Sequence, residues 1–170
     1  MDAIAREAGT TKMSLYGRFA SKEELFLSVL HWATERPDWP RPEPDPPDLD
    51  DLEGALTAIA HTALQRALDP QMVQLGRIAV AQAARFPDLA RREAIAFWPR
   101  QKLVADLLRR HAADGAIVAD DPDILAEHFL GMVAGMPARL ASYGIVRDPA
   151  DQDRHTRVAV ELFVRSLRSG

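Results

Sequence analysis

A stretch near the amino terminus, residues 2–25, reads DAIAREAGTTKMSLYGRFASKEEL and carries the most specific pattern in the chain. Its first segment, residues 2–8, has the periodicity of a short helix, with Ile4, Ala5 and Ala8 on one side. We therefore expect Ile4 and Ala8 to be buried in the core of an amino-terminal domain.

A turn and a second helix follow in the same stretch. Gly9 tolerates the positive φ that a sharp turn requires, and one of the threonines at 10 and 11 caps a helix over residues 12–19. Leu15 and Phe19 take the inward positions of this helix. Helix, glycine turn and helix together are typical of a helix-turn-helix, in which the second helix enters the major groove of DNA. Periodicity alone leaves open a plain helical hairpin.

The composition excludes several classes of protein. The chain has 170 residues, enough for one ordinary domain or for a small domain joined to a larger one. Because it contains no cysteine, we exclude a disulfide scaffold, thiol catalysis and Cys-ligated zinc, and we expect a reducing, cytoplasmic location. No run of about 20 apolar residues and no secretory signal pattern is present, so we expect no membrane association.

Charge is distributed unevenly along the chain. The net charge is −4, which taken alone does not favour a nucleic-acid partner. Three cations and no acid lie between Thr10 and Lys22, whereas residues 37–53 carry seven acids and one arginine. An acidic protein can therefore still present one basic surface, and residues 10–22 are where we expect it.

A proline-rich segment divides the chain. Residues 37–47 contain six prolines, which exclude a helix and predict a stiff, acidic linker. We expect a helix-turn-helix domain with a connecting helix, Lys22–Arg36, over residues 1–36, and a helical bundle over residues 48–170. Ser21 and Glu24 form a capping box at the start of the connecting helix.

The larger segment also has helical patterns throughout, so the predicted fold class is all-α. Asp-Pro pairs at 69–70, 121–122 and 148–149 are typical helix starts. Gly115 and Gly144 lie where left-handed carboxyl-terminal caps are expected. Pro99 predicts a kink or a break near Trp98, and the last two helices are expected near residues 122–141 and 149–168.

The segment IAREAGTTKMSLYGRFASKEEL, residues 4–25, resembles the helix-turn-helix signature of the TetR (tetracycline-repressor) family of bacterial transcriptional regulators. The shared features are I-A-x-x-A-G, then L-Y-x-x-F, then S-K-E-x-L. Residues 77–92 (RIAVAQAARFPDLARR) and 120–133 (DDPDILAEHFLGMV) resemble the AefR-like carboxyl-terminal domain of part of that family. The resemblance implies a homodimeric, ligand-responsive repressor that binds a palindromic operator in double-stranded DNA.

The resemblance also implies roles for seven residues. Tyr16 and Lys22 would bind phosphate oxygens, Lys22 beside the positive end of a helix. Lys12 and Ser14 would face base edges in the major groove, with Lys12 suited to guanine. Thr11 and Arg18 would bind the sugar-phosphate backbone of DNA, and Met13 would contact a thymine methyl group. The predicted DNA contacts are therefore Thr11, Lys12, Met13, Ser14, Tyr16, Arg18 and Lys22.

The sequence departs from the family at its amino terminus. Family members place another helix before this motif, and here no residues are present for it. We therefore expect the 170-residue form to bind DNA weakly and a form extended upstream to bind well; equal affinities in the same salt would contradict this expectation.

In the carboxyl-terminal domain the resemblance implies a dimer interface and an apolar effector cavity. Small residues recur at helical spacing at Gly131, Ala134, Gly135 and Ala138, and with Val158 and Leu162 they are the predicted dimer contacts. Packing of the small residues within one chain is the alternative. The residues predicted to line a cavity for a small apolar effector are His61, Phe97, Trp98, His128, Met132 and Met136.

Motifs for catalysis or metal binding are absent from the sequence. No histidine pair has metal-ligand spacing, and no nucleotide-binding glycine motif or nucleophile elbow occurs. We therefore expect no cofactor, no metal and no enzyme activity. Two alternatives stay open: a helical ligand-binding or interaction module whose DNA-binding half is incomplete and non-functional, and an α-helical enzyme.

Overall fold

The computed structural model describes residues 1–35, 48–84 and 98–168, except for the side chains of residues 30–35 and 98. In these ranges the chain forms helices and turns and no strand, which confirms the all-α class. The elements are α1 (Asp2–Glu7), α2 (Lys12–Arg18), α3 (Lys22–Glu35), α4 (Leu52–Leu68), α5 (Pro70–Gln82), α6 (Trp98–Ala113), α7 (Pro122–Leu130), a π-helical segment (Gly131–Gly135), α8 (Met136–Ser142) and α9 (Pro149–Arg168).

The chain divides into two compact units, residues 1–42 and 43–170. The predicted linker, residues 37–47, lies outside the described residues. None of the described helices combines the length and the hydrophobicity that crossing a bilayer requires.

Short-range signals locate the helix ends. Asp69 accepts hydrogen bonds from the backbone N–H groups of Gln71 and Met72, at 2.9 and 3.2 Å, and Pro70 opens α5. Asp121 and Asp148 cap α7 and α9 in the same way, which confirms all three Asp-Pro starts. The positive φ values predicted at three glycines are present at Gly9 (60°), Gly115 (72°) and Gly144 (82°).

Pro99 lies at the start of a helix. Because α6 begins at Trp98, Pro99 occupies its first turn, where its missing N–H has no helical partner to lose. Residues 85–97 lie outside the described part of the chain.

The core of the amino-terminal unit is smaller than predicted. Leu15 and Leu25 are buried and Phe19 is half-buried. The prediction for Ile4 and Ala8 is wrong, because both are exposed. Ala5 is the residue of α1 that is buried.

The carboxyl-terminal unit has its core around α4. This helix contacts α5, α6, α8, α9 and the π-helical segment. It contributes Leu56 and Ile59, while α7 contributes Phe129, which is fully buried and lies against Phe163 of α9 with ring centroids 4.9 Å apart. Burial of such large apolar side chains is the main source of stability for a bundle of this kind.

The helix predicted over residues 122–141 contains a π-helical turn. Pro137 follows this turn and has no N–H, so it cannot donate to a carbonyl one turn earlier. His155 of α9 supplies the missing contact, because its Nε2 lies 3.0 Å from the carbonyl oxygen of Met132 and 3.2 Å from that of Val133. The π turn is therefore explained by a proline on one helix and a histidine on another.

The π turn divides the predicted stripe of small residues. An α-helical stripe keeps one face, but the extra residue in a π turn rotates the positions that follow it. Gly131 and Gly135 are exposed, Ala134 is buried and Ala138 is half-buried. The four residues therefore differ in exposure, and their part in a dimer interface stays a prediction.

We predict that His155→Phe lowers the free energy of unfolding by about 1 kcal/mol, because the two carbonyl oxygens lose their donor while the ring volume is kept. Urea unfolding measures the change. The matched control is His61→Phe, an exposed position on α4, for which the expected change is within about 0.5 kcal/mol. Equal effects of the two substitutions would contradict a specific role for His155.

Candidate nucleic-acid interface

The amino-terminal unit contains two short helices joined by a tight turn. Gly9 takes a left-handed conformation after α1, and Thr11 is the residue that caps α2. The Oγ1 atom of Thr11 accepts a hydrogen bond from the backbone N–H of Ser14 at 3.0 Å, and the two hydroxyl groups are 2.8 Å apart. The turn therefore fixes where α2 begins and which of its faces is outward.

The outward face of α2 is polar and cationic. Leu15 is the buried residue of this helix, whereas Met13 is 83% exposed and Tyr16 is 48% exposed. All seven residues predicted to contact DNA are exposed: Thr11, Lys12, Met13, Ser14, Tyr16, Arg18 and Lys22. The structure thus leaves each of these side chains accessible, and their individual contacts with DNA stay predictions.

Lys12 has a partner that the sequence analysis missed. Its Nζ atom donates to Oδ2 of Asp2 at 2.9 Å, which links the start of α1 to the start of α2. The hydrogen bond from Lys12 lowers the pKa of Asp2, and the same bond raises the pKa of Lys12. Both groups are therefore charged at neutral pH, and the lysine must leave this carboxylate to reach a base.

The start of α3 presents Lys22 beside a capped helix end. The Oγ atom of Ser21 accepts the backbone N–H of Glu24 at 3.0 Å, as the capping box predicts. The Glu24 carboxylate accepts the N–H of Ala20 at 2.6 Å, one residue before the position expected for a capping box. Lys22 is exposed in the first turn, where the N–H groups give the helix end a positive potential that attracts phosphate.

The predicted effector residues whose side chains the structure describes are all exposed. His61 and His128 are exposed, and Met132 and Met136 are 38% and 52% exposed. Phe97 and the side chain of Trp98 lie outside the described residues. None of these four residues is among those that line the cavity described below, and a ligand-binding role for them stays a prediction.

A cavity of about 730 Å³ lies among α4, α5, α8 and the first turn of α6. Its volume is in the range of small-molecule sites. Small apolar residues form much of its lining, among them Ala63, Ala67, Ala134 and Ala138. No local sequence pattern indicates this pocket, because its lining comes from separate helices and is rich in alanine rather than in aromatic residues.

The other predicted dimer contacts lie on α9. Val158 and Leu162 are one turn apart and are 43% and 53% exposed, whereas Ala159, Phe163 and Leu167 of the same helix are buried in the core. The wide apolar side of α9 is therefore divided between the interior and an accessible strip.

Two family profiles match the chain. The profile described as "Bacterial regulatory proteins, tetR family" matches residues 1–29. The profile described as "AefR-like transcriptional repressor, C-terminal domain" matches residues 54–166. No curated protein sequence matches significantly.

Solved structures with the same fold are also similar. The structure named "Flavonoid-responsive Regulator FrrA" is 27% identical with a TM-score of 0.66, and the match covers 99% of this chain and 86% of that one. A TetR transcriptional regulator from Agrobacterium tumefaciens is 21% identical with a TM-score of 0.71, covering 98% and 86% of the two chains. The second likeness supports the fold alone.

Proposed function

Because the chain belongs to the TetR family of bacterial transcriptional regulators and is a DNA-binding regulator, we propose that it is a ligand-responsive repressor that binds a palindromic operator as a homodimer. The family and the fold are those of transcriptional regulators and not of enzymes. The observation that carries the proposal is the exposed, cationic face of α2 behind a glycine turn. Since its target is chromosomal DNA, we assign the protein to the cytoplasm.

In this proposal α2 lies in the major groove. Tyr16, Arg18 and Lys22 contact phosphates and set the register, whereas Lys12 and Ser14 approach base edges. Two subunits place their α2 helices about one turn of DNA apart, roughly 34 Å, or at a multiple of that distance.

The cavity in the carboxyl-terminal unit supports a response to a small molecule. One similar structure carries the printed name of a flavonoid-responsive regulator, and here a pocket of about 730 Å³ is present. Ligand binding would favour a dimer whose α2 helices no longer match the operator, with α3 as the connecting lever. A coupling free energy of about 1–3 kcal/mol gives roughly 5- to 150-fold regulation.

The accessible strip on α9 and the exposed glycines of the π-helical segment support a homodimer. Val158 and Leu162 present apolar side chains, and a Cβ atom built at Gly131 or Gly135 meets no atom within 4 Å. Such a surface allows another helix to approach closely, and a two-fold interface uses the same surface twice.

We predict that Gly135→Leu weakens dimerisation at least about 10-fold, because the new side chain enters the interface in both subunits while the fold of each chain has room for it. Sedimentation measures the monomer fraction as chain concentration falls. The control is Ala150→Leu, an exposed position at the start of α9. An unchanged dimer would remove Gly135 from the interface.

Titration of DNA from upstream of the gene tests the main proposal. We expect saturable binding to one palindromic site, with an affinity that falls steeply as salt rises, because phosphate contacts release counterions. Absence of salt-sensitive binding to any duplex would instead favour the helical ligand-binding or interaction module.

A further inference from the structure

The pocket of the carboxyl-terminal unit is lined by four arginines on four different helices. They are Arg66 on α4, Arg77 on α5, Arg100 on α6 and Arg139 on α8. No Asp or Glu occurs among the described residues that line the pocket. Arg66 and Arg100 also interact with other residues, so the argument depends on Arg77 and Arg139.

Arg77 is held in place by neutral acceptors. Its Nε atom donates to the carbonyl oxygen of Ser142 at 2.7 Å, and Nη2 donates to that of Ala141 at 3.1 Å. These bonds orient the planar guanidinium at the end of α8. Because carbonyl oxygens carry only partial charge, even at a helix carboxyl end, most of the positive charge of Arg77 is available to a ligand.

Arg139 is exposed on α8, within one helical turn of Ala141 and Ser142, whose carbonyl oxygens accept from Arg77. No carboxylate of the described residues forms an ion pair with Arg77 or Arg139. Two guanidinium groups thus line one cavity without a described anionic partner, and arginine is the side chain best suited to bind a carboxylate with two parallel hydrogen bonds.

Most of the remaining lining is apolar, and much of it is small. It includes Ala63, Ala67, Val73, Leu130, Ala134 and Ala138. Alanine walls leave room for a broad, flat body, and a cavity of about 730 Å³ holds a molecule of ordinary drug size.

We infer that the effector is an organic anion: an apolar aromatic or aliphatic body that carries a carboxylate, sulfonate or phenolate group bound by Arg77 and Arg139. This inference rests on the proposed function, in which the pocket is the effector site. It adds an anionic group to the small apolar effector expected from the sequence.

Two fluorescent probes of nearly the same shape test the inference. 1-Anilinonaphthalene-8-sulfonate carries a negative charge, and N-phenyl-1-naphthylamine is the same body without the sulfonate. We expect the 170-residue chain to bind the sulfonate probe about 10-fold more tightly, because charge-assisted hydrogen bonds are added to the same apolar contact. Equal affinities would overturn the inference.

Variants locate the charge and the site. Arg139→Met keeps much of the aliphatic stem. It is expected to weaken binding of the sulfonate probe about 5- to 20-fold and to change the affinity for the neutral probe by less than about 2-fold. Arg139→Lys keeps the charge and is expected to weaken binding of the sulfonate probe less. The matched control, Arg157→Met on α9, removes the same charge from an exposed position outside the pocket and leaves both probes unchanged. An equal loss of both probes in Arg139→Met would overturn the role of the charge.

Ala138→Trp fills the cavity and is expected to abolish binding of both probes; sulfonate binding that survives this change would overturn the assignment of the pocket. Circular dichroism verifies the fold of each variant. The probe measurements contain no DNA, so their outcome does not depend on the operator titration. If the chain binds DNA but shows no preference for the anionic probe, the proposed function stands and this inference is wrong.

Discussion

Lys22→Ala is expected to weaken binding to every duplex sequence by a similar factor, about 10- to 100-fold. Lys22 lies exposed in the first turn of α3, beside a capped and positively polarised helix end, so its ammonium group suits a phosphate and carries no base preference. In a homodimer the substitution removes two phosphate contacts. The slope of log affinity against log salt should therefore fall by about 2.

Comparison with Lys12→Ala distinguishes a phosphate contact from a base contact. A lysine that contacts a base should change the order of preference among operator sequences, by about 1–3 kcal/mol at the contacted position. In the proposed complex Lys12 would also lose its ion pair with Asp2 when it enters the groove. Both variants are compared with their parent in the same background and the same salt. A uniform loss in Lys12→Ala, or a sequence-dependent loss in Lys22→Ala, would reverse the two assignments.

Phe129→Ala is expected to lower the free energy of unfolding by about 3–5 kcal/mol. Phe129 is fully buried, and its ring lies against that of Phe163, so truncation leaves a cavity at the contact between α7 and α9. Since a domain is commonly stable by about 5–15 kcal/mol, this single change removes a large part of the total.

Urea unfolding at one fixed chain concentration measures the loss. Ile124→Ala on the same helix is the matched control, because Ile124 is 46% exposed and its truncation should cost less than about 1 kcal/mol. Phe129→Leu keeps more of the volume and should fall between the two. A loss for Phe129→Ala as small as that for Ile124→Ala would mean that α7 does not pack on α9 as described.

Features that depend on neighbouring residues could be predicted from the sequence. Asp121 and Pro122 start a helix because the carboxylate and the proline act on the same turn, and Gly144 ends one because only local φ is involved. The helix-turn-helix could be predicted for the same reason, because its turn, its cap and its apolar positions lie within 24 residues.

Features that depend on residues far apart in the chain were missed. The π turn needs Pro137 together with His155, and no periodicity connects them. The arginines that line the pocket come from four helices, so each appears in the sequence as an ordinary surface residue. Ile4 was predicted to be buried from its spacing alone, and spacing does not say whether another element covers that face.

The π-helical segment also makes one wall of the pocket tolerant of a change in chain length. Because a π turn takes up one extra residue locally, loss of a single codon within residues 131–135 would restore a continuous α-helix without turning α8. Ala138 and Arg139 would therefore stay in the lining of the cavity, and Phe129 upstream would stay buried. Relatives that are one residue shorter at this point are therefore expected to keep the same pocket wall.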